Sequence, residues 1–311
     1  MSEALGLALL GAAILAGFPS TGSAQQTVFF TENFDDANFG GRGWYDSTGG
    51  TIDSANHIPR STASFDCHWV QGGTNCAGGT PHRHLFQASA TVYVSFWMKL
   101  GSQAVTWQGS GKPYHPHLIQ LLTDADNAFV GPNSAFFSTL IETSLFTPRI
   151  AEADSAAVNV PLVGTNLLAS ATPHSVAGCN GDQNASATCY SCPPGYCNST
   201  YWDAASPAFV NNQWHHVEFY AAMNSTSGGI ANADGVFRLW VDGNPIINYI
   251  NVYLRTGNNP NRRFNQLLLA PYIGDGSPIA QDLWIDNMVV ADQPSASQGG
   301  ILAPKNLRVI P

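Results

Sequence analysis

The sequence predicts an all-β protein, and three observations carry that reading. Strand-like runs of apolar, β-branched and aromatic residues recur between residues 91 and 291. Gly and Pro, at 30 and 19 of 311 residues, punctuate them. No segment joins helix caps to a sustained 3.6-residue period, and 150–157 is the one short helical candidate. The composition excludes other classes. Three Lys and five Glu are too few for a coiled coil or a helical array. A net charge of −9 lacks the cationic surplus of a general nucleic-acid binder. Aromatic residues at 11% supply more core than a disordered chain carries.

The chain opens on an expected export signal. Residues 4–18 are apolar or Gly, Pro19 breaks the run, and Gly22-Ser23-Ala24 offers a cleavage site before Gln25. The n-region carries Glu3 and no basic residue. The apolar run falls short of the ~20 residues that a membrane span needs, and no later segment reaches that length either. The expected organisation is a signal peptide at 1–24, a single β-domain at 25–292, and a linker and tail at 293–311. That implies a secreted, periplasmic or cell-surface protein with no stable membrane insertion once the signal is removed.

The clearest strands are TVYVSFWMKL (Thr91–Leu100), HLIQLL (His117–Leu122), QWHHVEFYAA (213–222), GVFRLWV (Gly235–Val241), NQLLLA (265–270) and DLWIDNMVVA (282–291). Asp242-Gly243 is a two-residue hairpin signal between GVFRLWV and the PIINYI run. Alternation separates the faces. Val92, Val94, Phe96 and Met98 share one side of their strand; Tyr93, Ser95, Trp97 and Lys99 share the other. His215, Val217 and Phe219 oppose Trp214, His216, Glu218 and Tyr220, while Phe237, Leu239 and Val241 oppose Arg238 and Trp240. Trp and Tyr interleaved with His, Glu and Arg suit a groove that stacks sugar rings. Parity therefore puts Tyr93, Trp97, His216, Glu218, Tyr220, Arg238 and Trp240 on the non-core faces of three strands. The longest loop is 143–207, and loops of that length are uncommon unless functional.

Six Cys in an exported chain favour disulfides. Short loops close most easily, which favours Cys67–Cys76, Cys179–Cys189 and Cys192–Cys197 as staples of two long loops rather than of the core. The alternative is zinc at Cys189-x-x-Cys192, although no His stands near as a fourth ligand. Asn184, Asn198 and Asn224 head acceptor sequons.

These motifs, taken in order, resemble the concanavalin A-like superfamily: laminin-G-like domains and jelly-roll polysaccharide lyases. The matching pieces are ENFDD at 32–36, YVSFWMKL, WHHVEFY, DGVFRLWVDG and LLLAPYIGDGSPIAQDLWIDNMVVAD. The chain also resembles a group of exported bacterial proteins that carry YHPHxxxxLT and FNQxLxAPYIGDGSP. The resemblance implies a two-sheet antiparallel jelly-roll sandwich with long disulfide-stapled loops, in which neighbouring strands of one sheet would join the non-core faces of those three strands into one shared cleft. It also implies a structural calcium joining the first and last strands, here through Glu32 or Asp35 and Asp286.

For function, the resemblance implies either a lyase acting on an acidic polysaccharide or a non-catalytic glycan-binding or adhesion module. Cleavage of a uronan by β-elimination needs a base, often His or Tyr, to take the C5 proton. It also needs an acid, often Tyr, for the leaving oxygen, and donors that hold the carboxylate. The candidates for base are His117 and His216, and for acid Tyr220 and Tyr272. Arg238, Gln120 or Gln266 would take the carboxylate, although strict parity sets Gln120 against His117. Tyr93, Trp97, Lys99, Glu218, Trp240, Gln266 and Arg263 are the candidates for substrate binding. Arg255, Arg262 and Arg263 form a local basic cluster on an acidic protein. The His82-Arg83-His84 and His115-Pro116-His117 patches lack a neighbouring carboxylate that would favour a transition metal. A glycosidase is disfavoured, because E-x-D-x-x-E is absent. Serine-hydrolase, P-loop and dinucleotide-binding motifs are also absent.

Overall fold

The computed structural model describes residues 25–102, 117–123, 138–144, 147–153, 169, 200–274 and 276–295. The expected signal, the tail beyond 295, four of the six Cys, His115 and two of the sequons lie outside the described residues. The strands in chain order begin with β1 (Val28–Glu32), β2 (Trp44–Thr48), β3 (Thr51–Asp53), β4 (Ser64–Trp69), β5 (Pro81–Ser89) and β6 (Thr91–Leu100). There follow β7 (His117–Leu122), β8 (Ser138–Ser144), β9 (Thr147–Ala153), β10 (Thr200–Asp203) and β11 (Trp214–Ala222). The last are β12 (Thr226–Ser227), β13 (Ile230–Ala231), β14 (Gly235–Val241), β15 (Asn244–Val252), β16 (Phe264–Tyr272) and β17 (Gln281–Ala291).

The strands form a jelly-roll sandwich. Its first sheet runs β15-β14-β11-β6-β17-β4-β3, with β1 also on β17. Its second runs β10-β9-β8-β7-β16-β5-β2. The strand neighbours within both sheets are antiparallel. One core lies between the sheets. Val94, Phe96, Met98, Phe219 and Leu239 enter it from the first sheet, and Ile119, Leu121, Leu267 and Leu269 from the second. Full burial of each such side chain contributes roughly 1.5–3 kcal/mol relative to exposure. The Asp242-Gly243 turn forms as the dipeptide predicts. Its φ angles are 52° and 74°, and it joins the Val241↔Asn244 pair in a two-residue hairpin.

Three expectations change. Residues 150–153 extend β9, paired on both sides, so the helical candidate at 150–157 is strand over its described part. Tertiary pairing overrides its weak local preference. Cys67–Cys76 is bonded as expected, but Cys67 is fully buried and both residues belong to the core cluster. This bridge therefore staples core to loop. The sequon residue Asn224 is buried, with its carboxamide oxygen accepting from the Leu254 and Arg255 N–H groups. It is a structural tie between loops, and no glycan fits there.

Candidate active site

The sandwich divides the candidate residues between its two outward faces. Tyr93, Trp97 and Lys99 on β6, His216, Glu218 and Tyr220 on β11, and Arg238 and Trp240 on β14 share the outward face of the first sheet. Cross-strand pairing sets His216 beside Trp97, Tyr220 beside Tyr93, Glu218 beside Trp240 and Tyr220 beside Arg238. His117, Gln120, Gln266 and Tyr272 lie on the outward face of the second sheet. The two groups point away from each other and cannot act on one sugar.

The first-sheet group is tightly interbonded. The Tyr93 hydroxyl donates to Glu218 Oε1 at 2.6 Å, and both residues are buried. Burial, then that hydrogen bond and the Glu218 charge, raise Tyr93 far above a usual phenol. His216 stacks on Trp97 with ring centres 5.0 Å apart. Burial holds the imidazole below its usual value, opposed by Glu218 and Asp242. Lys99 donates to Asn56 at 2.6 Å, with its ammonium 4.5 Å from the Trp284 ring centre. Arg238 donates to Asn248 at 3.0 Å. Farther along this face Asp66 meets the charges of Asp282 and Asp53. Carboxylates thus dominate the fixed charge on this face, and they repel a uronate.

The second-sheet group depends on two irregularities in pairing. Leu118 and Ile119 both enter the core, at a register shift between His117 and Ile119. The shift reverses parity, so His117 joins Gln120 and Leu122 on the outward face. The expected conflict between His117 and Gln120 is therefore removed. A second shift between Leu269 and Tyr272 brings Tyr272 opposite His117. Their rings meet edge to face with centres 5.8 Å apart. Tyr272 is exposed, while His117 and Gln120 are half-buried. Beside them on this face Leu122 and Leu268 pack with Ala270 in a small cluster apart from the main core. Gln266 and Arg83 are fully buried on the same face, with Arg83 Nη1 donating to Gln266 Oε1 at 3.0 Å. Arg83 Nε also lies 3.2 Å from Asp46. Arg83 was not among the site residues expected from sequence. Its only sign there is a basic residue inside a strand-length run, flanked by two His.

Of the expected calcium ligands, Glu32 does not fit. Its buried carboxylate accepts from the Phe34 N–H, Arg42 Nε and Trp44 Nε1, at 2.8–2.9 Å. Those donors neutralise it and fill its coordination space. Asp286 is different. It accepts from the Ile58 N–H and the Ser61 hydroxyl, both neutral donors, at 3.0 Å. Burial raises its pKa and the nearby Asp35 charge adds to the rise, against the pull of those hydrogen bonds. Asp35 itself accepts from Thr62. Among the described residues, no group of three His, Cys, Asp or Glu converges to hold a metal, so carbonyl oxygens would have to complete a site at Asp35 and Asp286.

No family model matches the chain, and no curated protein sequence matches it. Solved structures do match. The PL-14 alginate lyase from Aplysia kurodai aligns at a TM-score of 0.53 and 9% identity, over 86% of this chain and 100% of that one. Alginate lyase vAL-1 from a Chlorella virus aligns at 0.52 and 12%, over the same shares. The fold is a jelly roll, as in these two structures. The endo-β-1,4-glucuronan lyase of the fungus Trichoderma reesei aligns at 0.49 and 13%, over 86% and 96%. At such identities the likeness is one of fold, and the chemistry has to come from the residues.

Proposed function

We propose that the chain is a secreted lyase that cleaves an acidic, uronate-containing polysaccharide by β-elimination, with His117 and Tyr272 as its working pair. The observation that carries this reading is their edge-to-face contact at an accessible end of the second sheet. His117 takes the C5 proton. The electrons of that C–H bond form the C4–C5 double bond, the C4–O bond breaks, and the Tyr272 hydroxyl protonates the leaving oxygen. The Gln120 amide, on the same face, donates to the uronate carboxylate. Arg83 adds positive potential from beneath, partly offset by Asp46. The jelly-roll fold shared with alginate lyases supports the substrate class.

The test uses alginate, glucuronan, pectate and glycosaminoglycans. Absorbance near ~235 nm rises with at least one of them as the unsaturated sugar forms. His117→Ala and Tyr272→Phe each slow the rise by about 10²–10⁴-fold, the usual worth of a positioned acid or base. Folded wild-type protein that gives no rise with any polymer overturns the reading.

One observation favours a second reading. Trp97, Trp214 and Trp284 stand half-buried on the outward face of the first sheet, where indoles can stack on sugar rings. Retention on an insoluble glycan without any absorbance change would establish a non-catalytic binding module instead. A structural calcium at Asp35 and Asp286 is part of either reading. It would neutralise two neighbouring acids whose described partners are uncharged.

A further inference from the structure

We propose that a cavity at the other end of the second sheet is a separate binding site for the carboxylate of an acidic sugar, built by Arg263, Arg262, Asn258, Asn261, Asn265 and Thr123. The cavity measures about 390 Å³ and includes no Asp or Glu among its described lining residues. It sits where β5, β7 and β16 end, at Ala88, Thr123 and Asn265. His117 and Tyr272 lie at the opposite end of β7 and β16. Seven residue-to-residue steps along β16 lead from Asn265 to Tyr272, which at ~3.3 Å per step is roughly 20 Å. The sugar class rests on the proposed lyase reading; the anion chemistry rests on the cavity itself.

Two features point to a ligand. The first is charge. Arg263 Nη1 spends its hydrogens on the Pro260 and Arg262 carbonyls, both at 2.9 Å, which fixes the guanidinium at the rim. Arg262 Nη1 donates to the Thr123 carbonyl at 3.3 Å. Arg255 approaches from the same loop, donating to the Pro260 and Arg262 carbonyls. Its pKa falls chiefly through burial and then through the charge of Arg263. Arg255 and Arg263 share the Pro260 and Arg262 carbonyls, and with Arg262 they make a local positive field on an acidic protein, offset at Arg255 by the charge of Asp234. An anion seated beside Arg263 relieves their repulsion. A guanidinium fork also matches a carboxylate in shape.

The second feature is a pair of orphaned polar atoms. Thr123 is almost fully buried, and its hydroxyl has no hydrogen-bond partner. The carboxamide oxygen of Asn265 is likewise closed off and unpartnered. Buried polar atoms without partners are rare, and here both belong to residues lining one cavity. Sugar hydroxyls both donate and accept, so a ring seated with its carboxylate on Arg263 can answer both once each side chain rotates its closed-off oxygen into the cavity that it lines. A bare inorganic anion answers the charge and leaves the Asn265 oxygen unmatched.

Calorimetry on full-length His117→Ala protein tests this without turnover. Short oligouronates, glucuronate, glucose and inorganic phosphate are titrated separately. Oligouronate and glucuronate bind, and glucose does not. Arg263→Ala weakens uronate binding about tenfold or more, the loss expected for one charge-assisted contact. Asn261 is exposed at the rim, so Asn261→Asp places a carboxylate there without threatening the fold and weakens uronate in the same direction. Unchanged uronate affinity in both folded variants overturns the proposal. Phosphate binding with no uronate binding also overturns it, leaving a simple anion site. If wild-type protein cleaves no polymer yet glucuronate binding depends on Arg263, the lyase reading fails and the cavity stands. If cleavage occurs and Arg263→Ala changes no uronate affinity, the cavity fails alone.

Discussion

Tyr272 meets His117 across β16 and β7 because each strand departs from regular pairing just before the contact. Strict alternation would turn His117 into the core with Ile119 and Leu121. The shift instead spends two consecutive apolar residues, Leu118 and Ile119, on the core and sends His117 outward. The chemistry proposed for the second sheet exists only through that irregularity.

The two faces can be separated by mutation. A His216→Ala, Tyr220→Phe protein is expected to retain polymer cleavage at close to the wild-type rate, because both changes lie on the first sheet. It should lose about 1 kcal/mol of stability, since the His216 stack on Trp97 disappears. Initial rates at ~235 nm and a urea midpoint measure both effects. Cleavage abolished in folded double variant would move the active site to the first sheet.

The strands and their core faces were legible where packing and alternation agree. Val92, Val94, Phe96 and Met98 point inward as parity requires, and the seven expected cleft residues do share one face of β6, β11 and β14. Adjacency of β6, β11 and β14 within one sheet followed from the jelly-roll resemblance. What escaped was non-local. Nothing in HLIQLL marks a register shift, since Leu118 and Ile119 are ordinary strand residues. Nothing local shows that β7 and β16 join the opposite sheet from β6 and β11. Cys67 was read as a loop staple because spacing speaks only of loop closure, whereas its burial comes from β4 lying beside β17.

Asp66 gives a pH dependence with a definite sign. Burial, then the charges of Asp282 and Asp53, raise its pKa from 3.8 to about 6, and its Oδ1 is closed off without a partner. The folded state holds this proton more tightly than the unfolded one, so stability is fully present below pH 3.8, where both states are protonated, and is lost as pH rises from there through about 6. Asp66→Asn should therefore exceed wild type in stability at pH 7–8 by roughly 1 kcal/mol, allowing for solvent screening. The advantage should vanish below about pH 4. Urea midpoints across this range decide it, and an advantage that does not change with pH would show that Asp66 keeps an ordinary pKa.

Loss of the Cys67–Cys76 bridge should cost more than a surface staple would. The closed loop is short, with a sequence separation of 9, so the chain-entropy part is at the low end of the usual ~2–4 kcal/mol. Cys67 also fills core space, and Cys67→Ala adds a cavity penalty that Cys76→Ala largely avoids. Both variants are expected to unfold at lower urea, Cys67→Ala the lower of the two. Equal midpoints would place the whole effect in the cross-link. For the mature chain as a whole, alkylation under denaturing, nonreducing conditions is expected to trap none of the six Cys as thiols.

Chelation tests the proposed calcium. Asp286 is fully buried, and its described partners, the Ile58 and Asn287 backbone N–H groups and the Ser61 hydroxyl, are uncharged and do not neutralise it. Asp35 stands close enough to raise its pKa. In the absence of a cation, the folded state carries this repulsion, and it diminishes as acid protonates Asp286. A bound cation would remove the repulsion at neutral pH and stabilise the folded state by mass action, about 2.7 kcal/mol at 100 times Kd. For a domain of this size that corresponds to roughly 5–10 °C in Tm. Calcium added to chelator-treated protein should restore that difference, magnesium less so because it demands tighter octahedral geometry. Asp286→Asn should make Tm independent of calcium, and Glu32→Gln should leave the calcium response intact while lowering Tm through the lost Arg42 pair. A Tm that chelator and calcium leave unchanged in wild-type protein would mean that Asp35 and Asp286 hold no ion. The hydrogen bonds from Ile58, Ser61 and the Asn287 backbone would then be left to offset the buried charge.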